Sequence, residues 1–186
     1  MNVHNRSAFA GTADDFLRWN EGREGKREFV DGRVTEMMVG VSRHHITLAS
    51  RLSILVGGRL PGDVYTFGSA DFAVRTSRGI RYPDFFVDHA PTATNDLAVQ
   101  NAVLLAEILS PSSLALDFGP KAVEYMAIPS LRHYLVLSQD EPRVWLWDRG
   151  EGGFAEPAMI DGADRTVTLS AFDLTLSLAD LYRGIA

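Results

Sequence analysis

The sequence contains no cysteine, no long apolar run and no excess of basic charge. Without cysteine, disulfide bonds and thiolate zinc sites are excluded. No window approaches the length of apolar sequence that spans a bilayer, and residues 1–15 lack the apolar stretch that a signal peptide requires. These absences predict a soluble, cytoplasmic protein without a membrane partner.

The balance of charge is acidic, with a formal net charge of -6 at pH 7. Nucleic-acid-binding proteins are usually basic, because much of their affinity comes from neutralising phosphates. The acidic balance therefore argues against strong non-specific DNA binding. It is still compatible with a nuclease, since a bound cation balances acidic side chains at a metal site. Arg75, Arg78 and Arg81 also concentrate positive charge in one short segment.

What the sequence does contain is typical of one globular domain. The chain has 186 residues, of which 46% are hydrophobic and 23% charged. It has no internal repeat, low-complexity tract or linker-like change of composition. A single domain spanning residues 1–186 is therefore expected.

The predicted elements follow from capping residues, turn residues and hydrophobic periodicity. Thr12 caps a first helix, Asp31-Gly32 joins two hairpin strands through a type I′ turn, and Ser42 caps a second helix. The second helix is expected to bury an apolar stripe made of Ile46, Leu48, Ala49, Leu52, Leu55 and Val56. The further elements are an antiparallel pair at Val64–Phe67 and Asp71–Val74, strands at Asp84–Val87, Val103–Leu109, His133–Leu137 and Arg143–Trp147, a helix at Asp117–Ala127 and a last one after Ser177. This order indicates an α/β (α+β) fold with a mixed sheet and helices packed against it.

Glu107 is the most informative residue of the sequence. It interrupts the apolar run Val103–Leu109, which is typical of a central strand buried on both faces. An ionised carboxylate is costly to bury unless it is paired or binds a metal. Alternation places Glu107 on one face with Leu105 and Leu109. On this residue alone, a metal ligand and a glutamate paired with an arginine are both open.

Asp84 and Lys121 extend the pattern around Glu107. Asp84 starts a strand directly after Pro83, and carboxylates on neighbouring strands can converge on one cation. Mg²⁺ commonly takes one or two carboxylates and completes its shell with water and substrate phosphate, and Mn²⁺ also accepts oxygen ligands. The main-chain carbonyl of Ile108 is a further candidate ligand. Lys121, in the first turn of the next helix, can position the attacking water or stabilise charge on the phosphate.

Taken singly, both residues also have ordinary interpretations. An aspartate after proline is common at the start of a strand, and a lysine near a helix start is usually a solvated surface charge. Only the combination of Asp84, Glu107 and Lys121 favours a metal-dependent site.

The ordered motifs resemble those of the PD-(D/E)XK nucleases and, more narrowly, those of the Uma-two family of restriction-endonuclease-like proteins. The resemblance extends from Asp14 to about Trp147. Its motifs are Glu28-Phe29-Val30-Asp31-Gly32, Ser42 with His45, Tyr82-Pro83-Asp84, Glu107-Ile108-Leu109-Ser110-Pro111-Ser112, Asp117 with Lys121 and Tyr125, and Tyr134-Leu135-Val136.

The resemblance implies a restriction-endonuclease-like core with an N-terminal helix and β-hairpin. It also implies divalent-metal hydrolysis of nucleic-acid phosphodiester bonds, with DNA as the expected substrate. Asp84 and Glu107 would then hold Mg²⁺ or Mn²⁺, and Lys121 would be the catalytic lysine. Leu109 stands where the general pattern has lysine, and the narrower family is expected to carry that lysine in the helix instead.

Glu28 and His45 are accessory candidates. Glu28 can approach the metal as an extra carboxylate or pair with a basic neighbour on the hairpin surface. His45 can shuttle protons, orient a carboxylate or satisfy a polar position at the helix start. Each residue therefore has a structural interpretation beside the functional one.

Two other functions remain open from the sequence. A catalytically inactive module that keeps the nuclease fold and binds nucleic acid or a protein would explain the acidic charge. A homodimer formed through the strand of Trp145 and Trp147, whose rings share one face, is also expected, although core packing explains the same pair. Tyr125 is expected simply to pack one helical turn beyond Lys121.

Overall fold

The computed structural model describes residues 6–37, 40–90, 96–110 and 113–185; Pro111 and Ser112 of the glutamate motif lie outside the described residues. The helices are α1 (Ala13–Asn20), α2 (Arg43–Leu55), α3 (Leu114–Asp117), α4 (Pro120–Met126) and α5 (Leu178–Leu181). The strands are β1 (Arg6–Ala8), β2 (Arg27–Val30), β3 (Arg33–Glu36), β4 (Tyr65–Ser69), β5 (Ala73–Thr76), β6 (Gly79–Arg81), β7 (Phe85–His89), β8 (Ala98–Val99), β9 (Ala102–Ile108), β10 (His133–Leu137), β11 (Arg143–Gly150), β12 (Gly153–Phe154), β13 (Ala158–Asp161), β14 (Thr166–Leu169) and β15 (Leu174–Ser177). Among the described residues, no helix is both long enough and apolar enough to cross a membrane.

Two sheets contain most of the strands. The N-terminal sheet has the order β1-β3-β2-β6-β5-β8, and the central sheet has the order β12-β11-β10-β9-β7-β4, with β13 also paired to β11. In the central sheet β9 and β10 are parallel, whereas β7 pairs antiparallel with both β9 and β4. The predicted α/β fold with a central mixed sheet is therefore confirmed.

Helices cover both faces of the central sheet. Leu48 and Leu52 of α2 belong to the apolar core on one face, while Ala122 and Tyr125 of α4 belong to the core on the other face. Every residue of β9 between them is buried. The prediction of a central strand buried on both sides is confirmed, and it explains why the run is apolar except at Glu107.

Local signals define the N-terminal elements as predicted. The Thr12 side chain accepts a hydrogen bond from the Asp15 amide, and the Asp15 carboxylate accepts one from the Thr12 amide, so the two residues form a capping box. Asp31 and Gly32 both have positive φ, at 49° and 74°, as a type I′ hairpin turn requires. Ser42 accepts a hydrogen bond from the His45 amide and caps α2.

The predicted pairing of Val64–Phe67 with Asp71–Val74 is wrong. β4 pairs with β7 in the central sheet, whereas β5 pairs with β6 and β8 in the N-terminal sheet. The short segment between β4 and β5 therefore carries the chain from one sheet to the other. Strand β6, which the sequence analysis did not predict, is the true hairpin partner of β5.

Two helix predictions also need correction. Ile46 is 57% exposed, while Leu48 and Leu52 face the core; a step of two residues turns a helix by about 200°, so Ile46 points away from the other two. The single helix predicted over Asp117–Ala127 is divided into α3 and α4, with Gly119 between them.

The tryptophan pair belongs to the core. The ring centroids of Trp145 and Trp147 lie 5.0 Å and 5.5 Å from that of Phe118. Core packing therefore explains the shared face of these two rings, and their strand offers little free aromatic surface for a dimer.

Candidate functional site

The pairing of two strands brings the predicted carboxylates together. Phe85 of β7 lies opposite Ala106 of β9 in an antiparallel ladder. One further step in the same register sets Asp84 opposite Glu107, and directly opposed residues project from the same face of a sheet. Both residues line one pocket of about 360 Å³.

Asp84 is held in place by two hydrogen-bonding groups. Its Oδ2 accepts a hydrogen bond from the Ile108 amide at 2.8 Å and lies 3.1 Å from His45 Nε2. Burial by itself would raise the pKa of Asp84, but the bond and charge of His45, with the Ile108 amide and the charge of Lys26, hold that pKa below its ordinary value. Asp84 is therefore an ionised carboxylate with a fixed orientation.

Glu107 is buried and doubly hydrogen-bonded. Its Oε1 accepts hydrogen bonds from Lys121 Nζ and from the Tyr125 hydroxyl, both at 2.9 Å. Burial raises the pKa of Glu107 to about 8, although the Lys121 charge acts in the opposite direction. The sequence analysis gave Tyr125 only a packing role, and its contact with Glu107 was missed because helical spacing does not show which strand a tyrosine faces.

Lys121 lies at the centre of a group of carboxylates. Its Nζ is 2.9 Å from Glu107, 3.3 Å from Asp117 and 3.9 Å from Glu28. Burial alone would lower the pKa of Lys121, but these carboxylates raise it above its ordinary value. The lysine is therefore a permanent buried cation and not a solvated surface residue.

Asp117 is a site residue to which the sequence analysis gave no role. It is 1% exposed, and neither of its carboxylate oxygens has a hydrogen-bond partner among the described residues. Burial raises the pKa of Asp117. The available signal was its position four residues before Lys121, a spacing that puts two side chains on the same side of a helix.

Glu28 and Arg81 form a buried ionic layer behind the pocket. Arg81 Nη1 lies 2.6 Å from Glu28, and its Nη2 and Nε lie 2.7 Å and 2.9 Å from the two carboxylate oxygens of Glu124. Glu28 is 2% exposed, so the predicted pairing with a basic neighbour is found in the interior and not on the hairpin surface. It lines a different cavity from the one that contains Asp84 and Glu107.

The residues present fit a hard divalent cation such as Mg²⁺. Within the described parts of the chain, no group of three or more histidine or acidic side chains is arranged so that it could hold a metal ion by itself. Asp84 and Glu107 offer two carboxylates, and Mg²⁺ commonly binds through one or two carboxylates with water and phosphate in its remaining positions. Asp117, whose Oδ1 lies 3.3 Å from Lys121 Nζ, is a third acidic side chain that lines the same pocket.

The structure thus brings together most of the predicted site residues. Asp84, Glu107, Ile108, Lys121 and His45 all line the same pocket, and Glu28 lies behind it. His45 is placed to orient the Asp84 carboxylate, one of the alternatives left open above. The catalytic and metal-binding roles of these residues remain predictions.

Comparisons with known proteins give a consistent family. The family model of Uma2, described as "Putative restriction endonuclease", matches residues 13–179. Two similar proteins are from Synechocystis sp. The uncharacterized protein slr1290 is 28% identical over 176 residues, which cover 93% of this chain and 92% of slr1290. The uncharacterized protein sll1609 is 31% identical over 133 residues, which cover 69% of this chain and 75% of sll1609. The fold is similar to a crystal structure of a "putative nuclease" from Anabaena variabilis, with a TM-score of 0.75, 18% identity, and coverage of 95% of this chain and 100% of that one. At that identity the structural likeness shows the fold alone.

Proposed function

The chain belongs to the Uma2 family of restriction-endonuclease-like proteins, and we propose that it is a metal-dependent endonuclease that hydrolyses phosphodiester bonds of nucleic acid, with DNA as substrate. The observation that supports the proposal most directly is that two carboxylates on adjacent strands and a buried lysine face one pocket. No apolar ligand explains this combination of charges, whereas a phosphodiester and a cation do.

Each residue of the pocket would have a distinct role in the reaction. Asp84, Glu107 and the Ile108 carbonyl would hold Mg²⁺ or Mn²⁺, which supplies Lewis-acid polarisation of the phosphate and lowers the pKa of water. His45 keeps Asp84 oriented through its 3.1 Å contact. Lys121 places a positive charge where negative charge develops on the phosphate, in a pocket where a low dielectric strengthens the interaction.

A second candidate function rests on the ion pairs of Lys121. Because its ammonium already contacts Glu107 and Asp117, and because the chain is acidic, a module that binds nucleic acid or protein without cleaving is the alternative. Metal binding separates the two proposals, since a binding module has no need of the cation.

The first test is cation-dependent cleavage by the intact chain. Purified protein is expected to nick or linearise supercoiled plasmid in Mg²⁺ or Mn²⁺, to lose all activity in excess chelator, and to regain it when the cation is restored. Gel electrophoresis of the plasmid follows the reaction. Cleavage that continues unchanged in chelator would contradict the proposal, and the absence of both saturable Mn²⁺ binding and cleavage of DNA or RNA would favour the non-catalytic alternative.

The second test is the pH dependence of metal binding. Because burial raises the pKa of Glu107 to about 8, this carboxyl holds a proton more readily than an exposed glutamate does, and binding of a cation is expected to displace that proton. The Mn²⁺ affinity is therefore expected to rise by about tenfold per pH unit up to about pH 8 and to level off above it. Calorimetry in buffers of different ionisation enthalpy should detect about one proton released. A flat affinity between pH 6 and pH 8 would contradict this assignment.

A further inference from the structure

The distribution of lysine along the chain is unusual. The chain has 18 basic residues other than histidine, and only Lys26 and Lys121 are lysines. Both of them line the pocket that contains Asp84 and Glu107. Lysine presents a compact, mobile positive charge that binds phosphate well, whereas arginine presents a rigid planar fork.

Lys26 differs from its neighbours in having a free charge. It precedes β2 and is half-buried, and within the described residues no carboxylate lies at ion-pair distance from its ammonium. Arg27 beside it pairs with Glu36 at 3.5 Å, and Arg23 donates to the Trp19 carbonyl at 2.6 Å. Lys26 therefore keeps its charge available to a ligand, close enough to the site to act on Asp84.

A second cavity adjoins the pocket at Lys26. Its volume is about 540 Å³, and Lys26 and Tyr82 line both spaces. The wall of this second cavity comes from the end of α1 and the segments before β2, after β4, after β6 and before β8. It includes the apolar side chains of Leu17, Phe72 and Leu97. The volume lies in the range of small-molecule sites, and the lining combines apolar surface with a few polar groups.

We propose that Lys26 and this second cavity form a nucleotide subsite, in which the Lys26 ammonium binds the phosphate next to the scissile one and the cavity receives the adjoining base. The proposal rests on the proposed function, because the position of the scissile phosphate between Asp84 and Glu107 sets the distance to Lys26. Apolar and aromatic walls suit the flat face of a base without selecting its identity.

The cavity implies that the bound nucleotide is unpaired. Residues from five segments line this open space of about 540 Å³, whereas a base in a duplex stays stacked and paired. A base must therefore leave the duplex, or come from a single strand, to enter. The inferred substrate class is single-stranded or locally unpaired nucleic acid.

The test compares Lys26→Met with Lys26→Arg and a matched control. Arg59→Ala removes one positive charge from an exposed residue whose guanidinium, among the described residues, reaches only the Thr175 carbonyl, at 3.5 Å, and which lines neither cavity. Fluorescence anisotropy would measure binding of a short fluorescein-labelled oligothymidylate and of a blunt duplex, with Ca²⁺ in place of Mg²⁺. Steady-state cleavage of the same single strand in Mg²⁺ would give kcat and KM.

Lys26→Met is expected to weaken single-strand binding and to raise KM by about tenfold, since one charge-assisted contact is lost, with kcat changed much less. The slope of log Kd against log salt concentration should decrease by about one, as expected when one phosphate contact and its released counterion are lost. Lys26→Arg should recover most of the binding and Arg59→Ala should match the wild type. Equal binding by Lys26→Met and wild type, or tighter binding of the duplex than of the single strand by wild type, would overturn the subsite.

The binding measurement also separates this inference from the proposed function. Binding of the oligothymidylate through Lys26 without cleavage of any substrate would contradict the proposed endonuclease activity but support the subsite. Cleavage by the wild type and by Lys26→Met with the same KM would support the endonuclease activity but contradict the subsite. Thermal melting of Lys26→Met checks its fold, which should be intact because the side chain has no hydrogen-bond or ion-pair partner among the described residues.

Discussion

Glu107→Gln is expected to lower kcat/KM for cleavage by about 10³-fold or more, because it removes a metal ligand and with it several kcal/mol of transition-state stabilisation. Glutamine has nearly the same size, and its amide oxygen can still accept the hydrogen bonds from Lys121 and Tyr125. The fold should therefore survive while the charge is lost. Single-turnover cleavage in Mg²⁺ with calorimetric Mn²⁺ binding measures both consequences.

Matched variants make this prediction specific. Asp84→Asn, like Glu107→Gln, should lose both metal affinity and cleavage. Glu151→Gln should behave as the wild type, because Glu151 is exposed and lies outside the described cavities. Lys121→Met should lose cleavage by about 10²-fold, as removal of a group that stabilises the transition state does, and its Tm is to be measured beside it because Lys121 is also the buried counter-charge of Glu107 and Asp117. Wild-type cleavage by both Asp84→Asn and Glu107→Gln would exclude this pocket as the active site.

Arg81→Met is expected to destabilise the fold by about 3–5 kcal/mol, because it removes the closest counter-charge of two buried carboxylates and leaves them only the longer contacts of Lys121, at 3.9 Å, and Arg78, at 3.5 Å. Glu28 and Glu124 are 2% and 1% exposed, and both bind Arg81. For a domain of this length the loss corresponds to a fall in Tm of about 10 °C. Differential scanning calorimetry at neutral pH measures it, with Arg59→Met, at an exposed position, as the control expected to change Tm little.

The melting temperature of the Arg81 variant is a direct check. The comparison with the control variant decides the outcome. An Arg81→Met variant that melts at the same temperature as wild type and Arg59→Met would contradict this account of the buried ion pairs.

Much of the site could be predicted because its residues are exceptions to strong local patterns. Glu107 is the one charge in a buried strand, and Asp84 follows a proline at the start of another strand. Burial penalises such exceptions unless they have a partner or a function, so they are informative in a single sequence. Caps and the type I′ turn were predictable for a similar reason, since few residue types satisfy their geometry.

The remaining features depend on contacts between distant segments. Nothing local to β4 or β5 shows that one pairs with β7 and the other with β6, because alternation identifies the faces of a strand and not its neighbour. The same limit applied to Glu28, whose partner Arg81 is 53 residues away, and to Tyr125, 18 residues from Glu107. Lys26 had no local signal, since a lysine between charged residues is typical of a solvated loop.

The scarcity of lysine gives this protein a built-in position for chemical labelling. Lys121 is 4% exposed and enclosed by carboxylates, so an amine-directed reagent meets Lys26 as its accessible lysine side chain. Apart from the α-amino group, which reacts with the same reagents, a single acyl group or fluorophore can therefore be placed at the mouth of the pocket without mutating the chain. Mass spectrometry of the labelled peptide would then follow occupancy directly, because anything bound between the two lysines would shield that amine from the reagent.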